Sequence, residues 1–219
     1  DPLALLPDIA GELADLADAT VESALALARG EVDGWASVRL GIIALGKAGA
    51  RELNYVSDVD LLYLAEPVLD GEGRPVCGTD TAVEVATKLV GALVRICSAN
   101  TVAGTIWQVD SALRPEGKAG PLVRTLASHR AYYEKWAKNW EFQAMLKARP
   151  MAGDLALGQE FVDMVWPMVW RVADDDQFVA ETQAMRRRVV SLLPPSQAEN
   201  EIKLGAGGLR DVEFSVQLL

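Results

Sequence analysis

The sequence predicts a mixed α/β fold with a helical C-terminal part. Two short, strongly apolar runs, at 38–46 and 56–65, have the composition of buried strands, and a third strand is expected within 101–115. Other stretches repeat apolar residues every three or four positions, which is the period of an amphipathic helix. Because strands and helices alternate, we expect helices packed on a sheet, followed by a mostly helical segment.

The first part of the chain predicts one helix and two strands. Residues 13–28 carry an apolar stripe from Leu13 through Leu16 to Ala28, so they should form a packing helix that Gly30 ends. "VRLGIIALG" (38–46) is apolar throughout, which favours a strand buried on both faces. After a turn at 46–49, "VSDVDLLYLA" (56–65) predicts the second strand.

The remainder is predicted from its turns and helical periods. "PVLDGEGRPVCGTD" is expected to be an exposed loop, after which Thr79 or Asp80 caps a helix that runs to about Ser98. A strand ending at Pro115, a Gly-rich loop and helices near 126–149, 155–172 and 176–193 follow, before a final Gly-rich turn. We therefore divide the chain into a core at 1–152, which includes the packing helix, and a helical segment at 153–219.

Composition limits the possible functions. A chain of 219 residues with 50% hydrophobic content can bury one sizeable core. Its net charge of −10 opposes binding to phosphate backbones, so we expect no nucleic-acid partner. No run reaches the ~18 apolar residues of a membrane span and no signal peptide is recognisable, which predicts a cytoplasmic protein without membrane contact.

Two further features concern the ends and the cysteines. The chain begins without a helix cap and stops inside an apolar-periodic run, so we expect it to be part of a longer protein. Cys77 and Cys97 fit no metal or redox spacing and are interpreted as reduced, partly buried thiols.

The stretch "GIIALGKA" (41–48) resembles a phosphate-binding P-loop but fails in two respects. Ala48 stands where the magnesium-binding hydroxyl is required, and the middle residues "IIAL" belong to a predicted strand. A phosphate cradle needs a loop whose amides point inward. The sequence therefore argues against a P-loop.

Two aspartates at the second strand suggest a metal site. Alternate residues of a strand share a face, so Asp58 and Asp60 should project to the same side. Two neighbouring anions at a buried strand are tolerated when a cation lies between them, and hard oxygen ligands favour Mg²⁺ or Mn²⁺. The alternative is a polar strand start or a helix cap.

A two-metal phosphoryl-transfer site needs a third carboxylate from another strand. Asp110 is the only acid in the third predicted strand. Arg114 follows four residues later and could contact a phosphate oxygen bidentately. The alternative is that Asp110 only caps a turn before Pro115.

Two Gly-rich stretches each join basic residues to glycines, whose backbone amides can approach an anion. "RPEGKAGP" (114–121) contains Lys118, and "KLGAGGLRDVEF" (203–214) contains Lys203, Gly207, Gly208 and Arg210. The alternative for both is a plain turn.

Other residues are interpreted as structural. His129 has no nearby nucleophile in sequence, the Trp and Met residues of "FVDMVWPMVW" repeat at helical spacing as core residues do, and 186–188 is read as a solvated basic face.

The Gly-Lys turn, Ser57 before the first aspartate and the apolar run after it together resemble the polymerase-beta-like nucleotidyltransferase pattern. In that pattern a small turn holds the nucleotide phosphates beside the carboxylates. The resemblance implies nucleotide contacts from Gly46, Lys47 and Ser57.

More specifically, the chain resembles the bacterial glutamine synthetase adenylyltransferases. The first family signature, Gly-Lys-Leu-Gly-Gly, one variable residue, then Glu-Leu-Asn-aromatic-X-Ser-Asp-Ile/Val-Asp-Leu, is matched by "GKAGARELNYVSDVDL" except at Ala48 and Ala50. The second, Val-Asp-X-Arg-Leu-Arg-Pro, appears as "VDSALRP", with Ala112 where the family commonly has arginine.

The resemblance implies a reaction. Family members have two similar halves, one attaching AMP to a tyrosine of glutamine synthetase and the other removing it by phosphorolysis. "KLGAGGLRDVEF" is similar to the removing half, which implies attack of inorganic phosphate on the adenylylated tyrosine to give ADP. Asp58, Asp60 and Asp110 would hold two Mg²⁺ (or Mn²⁺) ions, and phosphate, already anionic, would need no general base.

The implied partners are glutamine synthetase and a PII-type nitrogen signalling protein. Three alternatives stay open: the adenylyl-attaching half, an antibiotic-type or uridylyl-type nucleotidyltransferase, and a non-catalytic module that docks on glutamine synthetase.

Overall fold

A five-stranded mixed sheet forms the centre of the protein. The computed structural model describes residues 2–173, 176–194 and 201–217. β1 lies between β2 and β5 and is antiparallel to both, whereas β3 and β4 run parallel to the other edge of β2. The strands are β1 (Val38–Ala44), β2 (Val59–Pro67), β3 (Val109–Asp110), β4 (Val123–Arg124) and β5 (Arg149–Gly153).

Helices cover both faces of the sheet. α1 and α3 pack on one face, and α4, α5 and α6 on the other. The predicted mixed α/β fold with a helical C-terminal part is therefore confirmed. The helices are α1 (Pro2–Arg29), α2 (Gly46–Ala50), α3 (Thr79–Ser98), α4 (Leu126–Lys135), α5 (Asn139–Met145), α6 (Leu155–Ala173), α7 (Phe178–Ser191) and α8 (Leu209–Gln217).

The central strand β1 is buried on both faces, as predicted. Leu40, Ile42 and Ala44 pack with α1 and α3. Ile43 and Leu45 point the other way and pack with α4, α5 and α6. This alternation follows from the two-residue period of a strand, and it explains why the run contains almost no polar residue.

The N-terminal helix and the α3 cap differ from prediction. α1 begins at Pro2, not near Leu13, and Leu16 is 54% exposed, so its predicted place in the packing stripe is wrong. α3 begins at Thr79 with Gly78 as its N-cap, so neither Thr79 nor Asp80 caps it.

The second strand starts later than predicted, the third is shorter, and β4 and β5 were not predicted. β2 begins at Val59, so Asp58 lies just before the strand, and only Val109–Asp110 of the third predicted strand is extended. The segment predicted as one helix at 126–149 is divided into α4 and α5, and β5 follows. β5 pairs with β1 and buries Met151 and Ala152; apart from its first residue it lies between the predicted helices at 126–149 and 155–172, where no strand was predicted.

The side chains interpreted as structural have clear outcomes. His129 is buried and structural, as predicted: its Nε2 lies 3.3 Å from the Tyr63 carbonyl oxygen, and its ring packs on Phe161. On α6 the methionines are core, but Trp166 and Trp170 are 45% and 56% exposed, so their assignment to the core was wrong.

The helical segment after the sheet is attached to it. α6 packs on β5 and β1, while α7 contacts α5. The division at 152/153 stays a prediction. No helix in the described part of the chain is long and apolar enough to cross a membrane.

Candidate functional site

A cavity of about 810 Å³ opens at the start of β2 and β3, between the sheet, α5 and the Gly-rich turn that precedes α8. It brings together eight of the predicted site residues, which come from four separate segments of the chain. These are Gly46, Lys47, Ser57, Asp58, Asp60, Asp110, Lys203 and Arg210.

Strand pairing places two of the aspartates side by side. Asp60 of β2 is in register with Asp110 of β3 in a parallel pair. Residues in register on neighbouring strands lie ~5 Å apart and project to the same face. Asp60 is on the face of Leu62 and Leu64, which pack with α4, α5 and α6. The prediction that Asp58 shares a strand face with Asp60 was wrong, because Asp58 precedes β2, yet both line the cavity.

The aspartates influence one another electrostatically. Burial raises the pKa of Asp60, and the negative charges of Asp110 and Asp58 raise it further. The positive charges of Lys203 and Lys47 act in the opposite direction. The charge of Asp60 is therefore set by two other acids, one from β3 and one from the segment before β2, and by the lysines of two turns.

Gly46 makes room for the Asp60 carboxylate. Gly46 has φ +53°, in the left-handed region, and a Cβ at this position would lie 2.3 Å from Asp60 Oδ2. Any other residue would push the carboxylate away and also strain the backbone. The glycine of the predicted Gly-Lys turn is therefore needed for the position of an acid fourteen residues later.

The turn itself is the short helix α2, and it is held from behind. Arg149 Nη2 donates to the Ala48 carbonyl oxygen at 3.0 Å, and Arg149 Nε donates to that of Gly49 at 3.3 Å. Asp18 of α1 pairs with the same guanidinium at 2.6 and 2.9 Å. Arg149 thereby fixes the C-terminal carbonyls of α2 to the core.

Two predicted nucleotide contacts in this region already have protein partners. Lys47 Nζ donates to Asn54 Oδ1 at 2.9 Å, and Ser57 Oγ donates to the Asp58 carbonyl oxygen at 3.1 Å. Both side chains still line the cavity, so they remain candidates for contact with a ligand.

The opposite wall is the Gly-rich turn before α8. Arg186 of α7 holds it by donating to the carbonyl oxygens of Leu204 and Gly205, at 2.9 and 2.7 Å, and by pairing with Asp211. The interpretation of Arg186 as part of a solvated face was therefore wrong, although Arg187 and Arg188 are exposed. This anchoring presents Lys203 and Arg210 to the cavity.

The two cations of this wall differ in their partners. Arg210 Nη1 donates to Glu213 at 3.0 Å and its guanidinium lies over the Phe214 ring. Lys203 is exposed, and its ammonium has no ion-pair or hydrogen-bond partner among the residues that the structure describes. Lys203 is therefore available to an anion.

Four predicted phosphate contacts lie outside the cavity lining. Arg114 donates instead to the carbonyl oxygens of Ser111, Lys118 and Gly120, and so braces its own loop. Lys118 belongs to that loop. The Gly207 amide donates to Asp211 at 2.6 Å, and Gly208 is a close-packing position, where a Cβ would lie 2.4 Å from the Ile202 carbonyl oxygen.

The donor chemistry of the aspartates fits a hard divalent cation. The pKa of Asp60 is raised by burial and by the neighbouring carboxylates, so a positive ion between them would be favourable, and oxygen ligands suit Mg²⁺ and Mn²⁺. In the described ranges, however, no three His, Cys, Asp or Glu side chains are already arranged to hold a metal. Asp58 is exposed and its carboxylate has no hydrogen bond there, so it is free to rotate toward Asp60.

Sequence reasoning missed several cavity residues. Lys147 bridges Glu52 and Glu213 at 3.2 and 3.3 Å, which ties the core to α8. Trp107 and Gln143 line the cavity as buried residues. No local sequence pattern marks these positions, because the fold brings them to the cavity from segments that are distant in sequence.

Comparison with known proteins identifies the family. Residues 3–164 match the family described as glutamate-ammonia ligase adenylyltransferase. The chain belongs to this family. Residues 177–219 match a second family, described as GlnD PII-uridylyltransferase, so the cavity draws its aspartates from the first matched segment and Lys203 from the second.

Similar proteins share one name, bifunctional glutamine synthetase adenylyltransferase/adenylyl-removing enzyme. The protein of Cutibacterium acnes is 64% identical over 219 residues, covering 100% of this chain and 22% of that protein. The protein of Streptomyces avermitilis is 57% identical over 216 residues, covering 98% and 21%. This chain thus spans about a fifth of the length of these relatives.

Proposed function

We propose that this chain carries the adenylyl-removing site, which transfers AMP from an adenylylated tyrosine of glutamine synthetase to inorganic phosphate. The observation that carries the proposal is the placement of Lys203. Its ammonium has no hydrogen-bond or ion-pair partner within the described part of the chain, and it shares one cavity with three aspartates.

The reaction transfers the adenylyl group from tyrosine to phosphate by forming one phosphorus–oxygen bond and breaking another. An oxygen of inorganic phosphate attacks the α-phosphorus, the bond from that phosphorus to the tyrosine oxygen breaks, and the tyrosine leaves as a phenol after taking the proton of hydrogen phosphate. The products are ADP and unmodified tyrosine. Since phosphate is already anionic at neutral pH, no side chain has to act as general base.

The residues of the cavity divide into two groups by charge. Asp58, Asp60 and Asp110 would hold Mg²⁺ or Mn²⁺, which when bound would withdraw charge from the phosphoryl oxygens. Lys203 would bind the attacking phosphate, a small dianion that must compete with water at ~55 M for the in-line position. Lys47 and Arg210 would contact the phosphates of the nucleotide.

The names of the relatives support both an attaching and a removing activity. Our assignment to the removing half depends on the Lys203 turn, because phosphorolysis requires a second anion site beside the metal ligands. We also propose that the protein works in the cytoplasm and that a PII-type protein regulates it, in line with the second family match.

The identity of the released nucleotide tests the proposal. The purified protein would be incubated with adenylylated glutamine synthetase and Mg²⁺, with and without phosphate, and nucleotides separated by chromatography. We expect ADP in strict dependence on phosphate, and a Lys203→Gln variant that needs at least tenfold more phosphate for half-saturation. AMP formed without phosphate would indicate a hydrolase, and ATP formed only with pyrophosphate would indicate the attaching half.

A Lys118→Gln variant is the matched control. Lys118 was predicted with Lys203 from the same kind of Gly-rich stretch, but it lies outside the cavity lining. Its phosphate saturation should equal that of the wild type. Equal effects of both substitutions would contradict the role given to Lys203.

A further inference from the structure

Three exposed side chains with large apolar surfaces, close to Asp58 in the segment before β2 or in the segment before the paired β3, line the cavity. Tyr55, Val56 and Ile106 are 76%, 90% and 57% exposed, and all three line the cavity. We call them the apolar rim. Single exposed apolar residues are ordinary on protein surfaces, but a group at the opening of one polar site suggests a binding surface.

Strand register brings the two segments of the rim together. Val59 and Val109 are paired in parallel, and the Val59 amide donates to the Gln108 carbonyl oxygen at 2.9 Å. Two paired parallel strands have their N-terminal ends at the same end of the sheet. The segments before β2 and before β3, which carry the rim, therefore run side by side.

Local hydrogen bonds shape both segments. Asn54 Nδ2 donates to the Val56 carbonyl oxygen at 3.0 Å, and Lys47 in turn holds Asn54. In the other segment, Thr101 and Gly104 exchange backbone hydrogen bonds of 3.0 and 2.9 Å. The apolar side chains are thus presented to solvent on an ordered backbone, which lowers the entropy lost on binding.

The reaction proposed above defines what must cross this rim. A modified tyrosine has to place its phenolic oxygen at the aspartates, and only one side chain separates that oxygen from the tyrosine backbone. The substrate polypeptide must therefore pass over the mouth of the cavity. Val56 is two residues from Asp58, so the rim lies within reach of the residues that flank the tyrosine.

We propose that the apolar rim is the docking surface for the polypeptide around the adenylylated tyrosine, and that it binds uncharged, apolar side chains of the protein substrate. None of the three rim side chains is charged, so the rim offers a partner an apolar contact beside the charged groups that line the same cavity. The inference rests on the proposed function, because it is that function which requires a protein to enter the cavity.

The test compares a protein substrate with a small one. A Val56→Ser, Ile106→Ser double variant and the wild type would be assayed for phosphate-dependent ADP release from adenylylated glutamine synthetase and from adenylyl-O-tyrosine. We expect KM for the protein substrate to rise at least tenfold, equivalent to about 1.4 kcal/mol. Its kcat, and kcat/KM for the small substrate, should stay within threefold of wild type.

Val76→Ser is the matched control. Val76 is 50% exposed in the turn after β2 and does not line the cavity. It should behave as wild type with both substrates. Melting curves should show that all variants fold, since each replaced side chain is at least half exposed.

Each other outcome has a definite meaning. An unchanged KM for the protein substrate would overturn the docking proposal, and an equal loss with both substrates would mean that the rim contacts the nucleotide instead. If the wild type releases no ADP from either substrate, the proposed function fails. The docking proposal would then be tested by the binding of adenylylated glutamine synthetase to the immobilised protein. A Kd at least tenfold higher for the double variant would support the proposal, and an equal Kd would refute it.

Discussion

Replacing Gly46 with alanine should reduce activity by moving the Asp60 carboxylate. The new Cβ would lie 2.3 Å from Asp60 Oδ2, whereas ordinary contacts begin at 3.4 Å, so the carboxylate must move by about 1 Å. A misplacement of this size in an active site costs on the order of 10²-fold in rate. The φ of +53° adds a backbone cost of ~1–2 kcal/mol. Each kcal/mol should lower Tm by roughly 2–4 °C.

Gly73→Ala separates the two effects. Gly73 has φ +77° in an exposed turn, and a Cβ added there would meet nothing within 4 Å, so this variant has the backbone cost alone. We expect both variants to melt at similarly lowered temperatures, but only Gly46→Ala to lose adenylyl transfer, measured as initial rates at saturating substrate. If Gly46→Ala kept its rate within twofold of Gly73→Ala, the argument that Gly46 makes room for Asp60 would be refuted.

Three further changes should have measurable effects. Burial lowers the pKa of His129 to about 4 from 6.5, so the unfolded chain binds a proton that the folded chain excludes, and up to about 3 kcal/mol of stability should be lost as pH falls from 6.5 to 4. Urea unfolding should show this loss in the wild type and a much smaller one in His129→Phe. Asp60→Asn should lower turnover by several orders of magnitude. Its urea midpoint at pH 7 should be equal to or higher than that of the wild type, because the substitution removes a partly buried charge that Asp110 and Asp58 repel. A lower midpoint would contradict that electrostatic account. Arg186→Met should release the Gly-rich turn and raise KM for phosphate about tenfold, whereas unchanged phosphate saturation would mean that the turn holds its shape without this contact.

The sequence predicted the parts of the fold that local patterns determine. The apolar run of β1, the helical periods of α3, α6 and α7, and the general architecture depend on hydrophobic spacing, which is visible without contacts. No strand is predicted at β5, because the strand character of that segment comes from pairing with β1, more than a hundred residues earlier in the chain. The same limit applies to β3, of which only two residues find a partner strand.

The candidate site was predictable where residue types are unusual for their position. The aspartates, Gly46 and Lys203 stood out because acids at a buried strand and glycines beside a lysine demand an explanation. Residues that work through distant partners were missed.

Arg149 illustrates this second group. It supports the Gly-Lys turn only because Asp18, on the first helix, holds its guanidinium. Conversely, Arg114 fitted a phosphate pattern, but its donors are used by carbonyl oxygens of its own loop.

A crystal structure of the protein with Mg²⁺ and ADP tests the central claim most directly. We predict metal density between Asp58, Asp60 and Asp110, with the β-phosphate of ADP, the group contributed by inorganic phosphate, next to the Lys203 ammonium. The same density should be absent from crystals of the Asp58→Asn, Asp60→Asn double variant. ADP bound with its phosphates away from the three aspartates, or metal held by other residues, would contradict the assignment of this cavity as the adenylyl-removing site.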